Sequence, residues 1–60
     1  MIIIRSTEKF WEFQDFMDKK DLIDTRDWNY WYGIEHDTYL VRFITQRAVE
    51  LKAYLVLRFE

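Results

Sequence analysis

Trp28-Asn29-Tyr30-Trp31-Tyr32-Gly33-Ile34-Glu35 is the segment on which we expect the rest of this chain to pack. It holds two of the three tryptophans, two of the four tyrosines and the single glycine. Successive side chains of a strand point to opposite faces of a sheet, so the even-numbered, hydrophobic residues share one face. The alternation predicts a half-buried strand in the middle of a small sheet, with Trp31 left on the outer face.

The composition predicts one cytoplasmic domain with surplus aromatic surface. A chain of 60 residues is expected to form a single domain, residues 1–60, near the lower size limit for independent folding. A fifth of the residues are aromatic, more than so short a chain can bury, and a homodimer would cover some of them. The absence of cysteine favours a reducing cytoplasm. Met1-Ile2-Ile3-Ile4-Arg5 is too short for a signal peptide or a membrane span.

The first half of the chain predicts a strand, a helix and a polar connection. Ile2-Ile3-Ile4-Arg5 is β-branched and indicates a short first strand. Ser6 is a favourable N-cap for a helix from Thr7 to about Lys20. The helix has a core-facing apolar stripe at the expected spacing: Phe10, Phe13, Phe16 and Met17. The polar connection from Asp21 to Asp27 is expected to hold its aspartates in a solvated loop, with Leu22 and Ile23 packed beneath the end of the helix.

The second half predicts two more strands. His36-Asp37 is a plausible hairpin turn, and the alternation from Thr38 to Thr45 indicates a strand. Residues 46–60 allow two interpretations, because their composition favours helix whereas apolar residues alternate from Val49 to Phe59. Giving periodicity more weight than propensity, we predict a strand there. The expected fold is α+β, in the order β-α-β-β-β: a small antiparallel sheet with one helix packed on one face.

This fold would leave the second sheet face uncovered. Soluble monomers seldom expose a large apolar patch, so we expect this face to form a dimer or other second interface. Its predicted members are Trp31, Leu40, Ile44, Tyr54 and Val56. With Arg42 and Arg58 beside Trp31 and Tyr54, the same face could instead stack single-stranded nucleic acid, although the acidic pI of about 5.3 disfavours this.

Catalytic and metal sites find little support in the sequence. There is one histidine, one serine and no cysteine; His36 at a hairpin tip and Ser6 at a helix cap do not form a catalytic pair. Asp21, Asp24 and Asp27 lack the alternate spacing and the glycine of a calcium loop. With one glycine there is no phosphate-binding loop. We therefore expect no enzyme, no metal and no cofactor.

Charge is distributed unevenly along the chain. From Glu8 to Asp37 there are nine acidic and four basic residues, a net charge of −5, whereas the remaining segments have a net charge of +3. On the predicted helix, the side opposite the apolar stripe combines a tryptophan with carboxylates: Glu8, Trp11, Glu12, Asp15 and Asp18. A tryptophan on a charged face is typical of an interface anchor, and a row of carboxylates can imitate phosphates.

In its general character, a very short, acidic, aromatic-rich chain without cysteine or a catalytic set, the sequence resembles the small host-takeover proteins of bacteriophages. The resemblance implies an inhibitor of a host glycosylase, nuclease, CRISPR effector or polymerase, acting in the host cytoplasm. We expect a DNA-mimic-like protein–protein interaction surface made of the helix residues named above together with Glu35 and Asp37. The alternatives are a single-stranded nucleic-acid binder and a structural assembly subunit.

Overall fold

The computed structural model of the chain describes residues 1–33 and 37–60. These residues form, in order, β1 (Ile2–Ile4), α1 (Thr7–Lys19), β2 (Trp28–Tyr32), β3 (Tyr39–Phe43), α2 (Gln46–Val49) and α3 (Lys52–Phe59). The predicted α+β class, with helix packed on a small antiparallel sheet, is confirmed. The predicted fourth strand is wrong, because helices α2 and α3 occupy that segment. Of the predicted turn His36-Asp37, His36 lies outside the described ranges, and Asp37 is a turn residue with a φ of 55°.

Helix α1 lies where its sequence signals place it. Ser6 has extended backbone angles, and its hydroxyl accepts a hydrogen bond from the Lys9 N–H (3.2 Å), so it caps the helix. Glu8 in the first turn and Lys19 in the last turn complement the helix dipole. The buried side chains of the helix recur at helical spacing: Phe10, Phe13 and Met17.

The sheet has the strand order β1-β3-β2, and both strand pairs are antiparallel. In one cross-strand row, Leu40 of β3 stands between Ile3 of β1 and Trp31 of β2. Strand β2 is therefore an edge strand, and the prediction that it lies in the middle of the sheet is wrong. Whether β2 is central or at the edge depends on whether β1 pairs with β2 or with β3. The sequence of Ile2–Ile4 does not indicate which.

Helices α1 and α3 pack against each other on one face of the sheet. The ring of Phe10 stacks on Tyr39 of β3 with the centroids 4.1 Å apart. Phe13 meets Phe59 of α3 edge to face at 5.6 Å. The other sheet face, which carries Trp31, has no helix on it among the described residues. The buried core consists of Ile2, Ile4, Phe10, Phe13, Met17, Leu22, Trp28, Tyr39, Val41, Ala48, Leu55 and Phe59.

The C-terminal segment forms helices although its apolar residues alternate, because an alternating pattern also fits a helix. Residues two apart on an α-helix are about 200° apart, so an alternating pattern splits into two stripes on nearly opposite sides. The inner stripe is Leu51, Leu55 and Phe59, which joins the core. The outer stripe, Val49, Ala53 and Leu57, is exposed. Helix propensity therefore prevails, at the cost of leaving Leu57 88% exposed.

The connection between α1 and β2 is organised by a buried carboxylate. Asp27 accepts hydrogen bonds from the Ile23 N–H, the Arg26 Nε–H and the Thr45 hydroxyl, each 2.8 Å long. Asp27 is only 3% exposed, so the prediction of a solvated loop for the three aspartates of this connection is wrong at Asp27. Of the two apolar residues expected beneath the helix end, Leu22 is buried and Ile23 is exposed. A buried carboxylate is tolerated here because its oxygens are hydrogen-bonded.

Candidate protein-interaction surface

The exposed side of α1 carries one tryptophan among four carboxylates. Trp11 is 65% exposed, and the acidic side chains around it are also exposed. Because Phe10, Phe13 and Met17 fix the phase of the helix against the core, these residues must point away from the sheet. Their predicted location is confirmed, and their role in binding stays a prediction. The acidic helix face, as we call it, comprises Glu8, Trp11, Glu12, Asp15 and Asp18.

Few cations of the chain itself neutralise the acidic helix face. Lys19 Nζ lies 2.9 Å from Asp15 Oδ2, an exposed pair one helical turn apart of the kind that contributes little to stability. Within residues 1–33 and 37–60, the other three carboxylates of the face make no ion pair. A shallow hollow of about 220 Å³ lies along one margin of the face, lined by Glu12, Asp15, Phe16, Lys19 and Arg58.

The hairpin end is tied to the first turn of α1. The Thr7 hydroxyl donates a hydrogen bond to Asp37 Oδ1 (2.9 Å) and lies 3.1 Å from the Tyr39 hydroxyl. This contact brings Asp37 beside the residue that precedes Glu8, at the N-terminal end of the acidic helix face. The predicted participation of Glu35 falls on a residue outside the described ranges.

The predicted second interface is not one surface. Trp31 and Leu40 lie on the uncovered sheet face, and Ile44 follows at the end of β3, 48% exposed. Tyr54 and Val56 instead belong to α3 in the helical layer, where the Tyr54 ring stacks on Phe16 at 5.5 Å. Grouping these five residues was wrong because it rested on the fourth strand.

The face predicted to stack single-stranded nucleic acid is likewise not one surface. Arg42 is next to Trp31 on the sheet, across from Asn29. Tyr54 and Arg58 are on α3, on the other side of the molecule. The described structure therefore does not bring the two aromatic and two basic side chains together.

One exposed surface was missed by the sequence analysis. Val49, Ala53, Val56 and Leu57 line a wide, open groove of about 660 Å³ along α2 and α3, together with Glu50 and Lys52. A helical prediction for residues 46–60 would have placed these apolar residues on one side, because they recur at intervals of three, four and eight positions.

The aspartates of the α1–β2 connection do not form a cation site. Asp27 is occupied by protein donors, and Asp21 Oδ2 lies 4.0 Å from the Arg26 guanidinium. The Ile23 N–H, helped by Thr45 and Arg26, holds the pKa of the Asp27 carboxyl below its ordinary value, although burial acts in the opposite direction. Across the described ranges, no three His, Cys, Asp or Glu residues are grouped so that they could hold a metal ion.

Comparisons of this chain with protein families, with curated proteins and with solved structures find no significant match. None of the helices in the described part of the chain combines the length and the apolar character that crossing a membrane requires.

Proposed function

We propose that the chain is a non-catalytic protein-binding module whose acidic helix face occupies the basic groove of a nucleic-acid-processing enzyme. Glycosylases, nucleases, CRISPR effectors and polymerases are the partner classes with such a groove. The observation that carries the proposal is the exposure of Trp11 in the centre of four carboxylates. A large indole contributes nothing to the solubility of a charged face, and tryptophan is enriched among the residues that dominate binding energy.

The dimensions of the acidic helix face support phosphate imitation. Glu8 and Asp18 are ten positions apart on one helix, which corresponds to about 15 Å along its axis. Phosphates of one strand of duplex DNA recur about every 3.4 Å along the axis, so the face spans roughly four nucleotides. It presents four carboxylates over that length: Glu8, Glu12, Asp15 and Asp18.

The electrostatics of the face also favour a basic partner. Three of the four carboxylates make no ion pair within the described structure and can pair with lysine or arginine of a partner. Opposite charges would accelerate the encounter, and the indole would slow dissociation once it is buried. The cysteine-free composition suits a protein of the cytoplasm, and of the host cytoplasm if a bacteriophage encodes it.

The test compares two tryptophans that are both exposed and lie on opposite sides of the molecule. Wild type, Trp11→Ala and Trp31→Ala are immobilised, and a bacterial lysate is passed over each. We expect wild type and Trp31→Ala to retain the same nucleic-acid enzyme and Trp11→Ala to lose it, with about 30-fold weaker binding. Trp11→Ala is expected to change stability by less than about 0.5 kcal/mol. Trp31→Ala removes a half-buried side chain from a strand and should cost about 1 kcal/mol, so both variants are expected to stay folded.

Two further measurements on the captured enzyme distinguish mimicry from ordinary docking. Raising the salt concentration should weaken the complex, because exposed charges are screened within about 8–10 Å at 0.1–0.15 M salt. A short DNA duplex should displace the module, because both would occupy one groove. A retained protein that does not process nucleic acid, or equal retention by all three variants, would contradict the proposal and indicate an assembly subunit.

A further inference from the structure

Within residues 1–33 and 37–60, the outer edge of β2 has backbone groups with no hydrogen-bond partner. The Gly33 N–H donates to the Thr38 carbonyl (2.6 Å) and the Ile44 N–H to the Asp27 carbonyl (2.8 Å), which fixes the phase of the ladder between β2 and β3. In an antiparallel pair every second residue directs its N–H and C=O to the neighbouring strand. The odd-numbered residues of β2 therefore bond to β3, and the even-numbered residues direct their backbone groups outward.

One end of this edge is already covered. The chain folds back so that the Thr25 N–H donates to the Trp28 carbonyl (2.6 Å), and Asp24 forms an isolated bridge with Trp28. The open hydrogen-bonding positions of β2 are thus Tyr30 and Tyr32, each with one donor and one acceptor.

The edge also lacks the features that usually prevent strands from associating. Proteins protect exposed edges with lysine or other charges, with proline or with bulges, and Trp28–Tyr32 contains no charge and no proline. Its aromatic side chains are exposed: Tyr30 by 38%, Trp31 by 47% and Tyr32 by 59%. The opposite edge of the sheet is β1, which is only three residues long.

We propose that β2 pairs antiparallel with β2 of a second copy of this chain, across a two-fold axis at Trp31. In this register Tyr30 of one copy stands opposite Tyr32 of the other, and the axis repeats the pair. It satisfies the outward N–H and C=O groups of Tyr30 and Tyr32 in both copies. The two sheets become one continuous sheet, in the order β1-β3-β2-β2-β3-β1.

The side chains fit this register. The two Trp31 residues face each other at a position without backbone hydrogen bonds, where opposite residues approach most closely, with Cα atoms about 4.5 Å apart. Aromatic pairs across strands add to the stability of a sheet. Gly33 of the second copy lies opposite Asn29, so no side chain obstructs the strand there. By their exposed fractions, the three aromatic residues offer about 300 Å² per copy, which suits a weak, reversible dimer.

This dimer extends the proposed function without depending on it. The edge lies on the sheet, whereas the acidic helix face points away from the sheet, so both acidic helix faces stay accessible in the dimer. Two such faces joined in one particle could engage two grooves of an oligomeric partner, with a gain in avidity. Failure of dimerisation would leave the lysate experiment with Trp11→Ala unaffected, so the two proposals can fail separately.

The experiment measures self-association of the purified chain by sedimentation equilibrium from about 10 μM to 1 mM. We expect a reversible monomer–dimer equilibrium in wild type. Tyr32→Pro removes an N–H that points outward, which an edge strand tolerates, and should weaken the dimer about 30-fold, the equivalent of two backbone hydrogen bonds. Tyr32→Ala is the matched control, because it removes the ring and keeps the N–H, and its effect should be clearly smaller.

Amide exchange of the wild type provides a test that needs no variant. The amides of Tyr30 and Tyr32 should exchange slowly in concentrated samples and rapidly in dilute ones, whereas those of Asn29 and Trp31, bonded to β3, should be protected in both. A monomer at every concentration would overturn the proposal, as would concentration-independent exchange at Tyr30 and Tyr32. Equal weakening by Tyr32→Pro and Tyr32→Ala would also overturn it, since ring contacts and not backbone pairing would then hold the dimer.

Discussion

Leu55 and Leu57 provide a paired test of the C-terminal helix. They are two positions apart, and the same substitution, leucine to alanine, can be made at each. In α3, Leu55 is fully buried and Leu57 is 88% exposed. In a strand the two side chains would share one face and would both contribute to the core. The structure therefore predicts a large difference between the two variants, and a strand predicts similar losses.

The magnitude follows from burial. Removing a fully buried leucine side chain costs about 2–5 kcal/mol, because the transfer free energy is lost and a cavity is left. For Leu55→Ala we expect a loss of about 3 kcal/mol, which is most of the roughly 3–5 kcal/mol that a core of this size supplies. The corresponding fall in Tm is roughly 12–24 °C. Leu57→Ala should change the free energy of unfolding by less than about 0.5 kcal/mol.

Urea denaturation followed by tryptophan fluorescence and by far-ultraviolet circular dichroism measures both variants against wild type. Equal slopes of unfolding free energy against urea would show that the surface exposed on unfolding is unchanged and that midpoints can be compared. If Leu55→Ala has no folded baseline in buffer, its transition can be recorded in sucrose, which stabilises compact states. Similar destabilisation by the two substitutions would refute the helical assignment of residues 52–59.

Two further predictions concern the connection that precedes β2. Thr25 is β-branched and has a φ of 72°, a left-handed conformation that glycine adopts without strain. Thr25→Gly should therefore stabilise the fold by about 1 kcal/mol relative to Thr25→Ala, measured by urea denaturation. Equal stability of the two variants would contradict strain at this residue. The lowered pKa of Asp27 means that its ionised form stabilises the folded state above about pH 4 and that this contribution is lost as the pH falls through the lowered value. The stability difference between wild type and Asp27→Asn should therefore shrink from pH 7 to pH 3, and a constant difference would contradict this reasoning.

The parts of the fold that the sequence predicts correctly are those with local signals. Helix α1 has a capping serine and an apolar stripe with helical spacing, and these together fix its beginning and its rotation against the core. The rotation in turn determines which residues are exposed, which is why the acidic helix face could be located in advance. The alternation in β2 and in β3 is likewise a property of contiguous residues.

The predictions that were wrong concern features determined by contacts between distant parts of the chain. Strand order depends on the pairing of β1 with β3. No residue of Ile2–Ile4 indicates which strand β1 pairs with. In residues 46–60 one pattern is compatible with two structures, since alternating apolar residues form one face of a strand or two opposite stripes of a helix. Helix propensity favours the helix, and so does the packing of Phe59 against the rings of Phe13 and Phe16. The predicted second interface was wrong at Tyr54 and Val56, because these two residues lie in that segment.

The pairing of β1 with β3 also bears on the order of events during folding. More than half of the chain separates Ile3 from its partner Leu40, so closing this contact costs about 1–2 kcal/mol more in chain entropy than closing the hairpin of β2 and β3. On a ribosome, β1 emerges first and stays without a partner until β3 has been synthesised. Contacts between distant residues slow folding, and an unpaired apolar strand can associate with other chains meanwhile. The strand that is made first is therefore expected to join the sheet last.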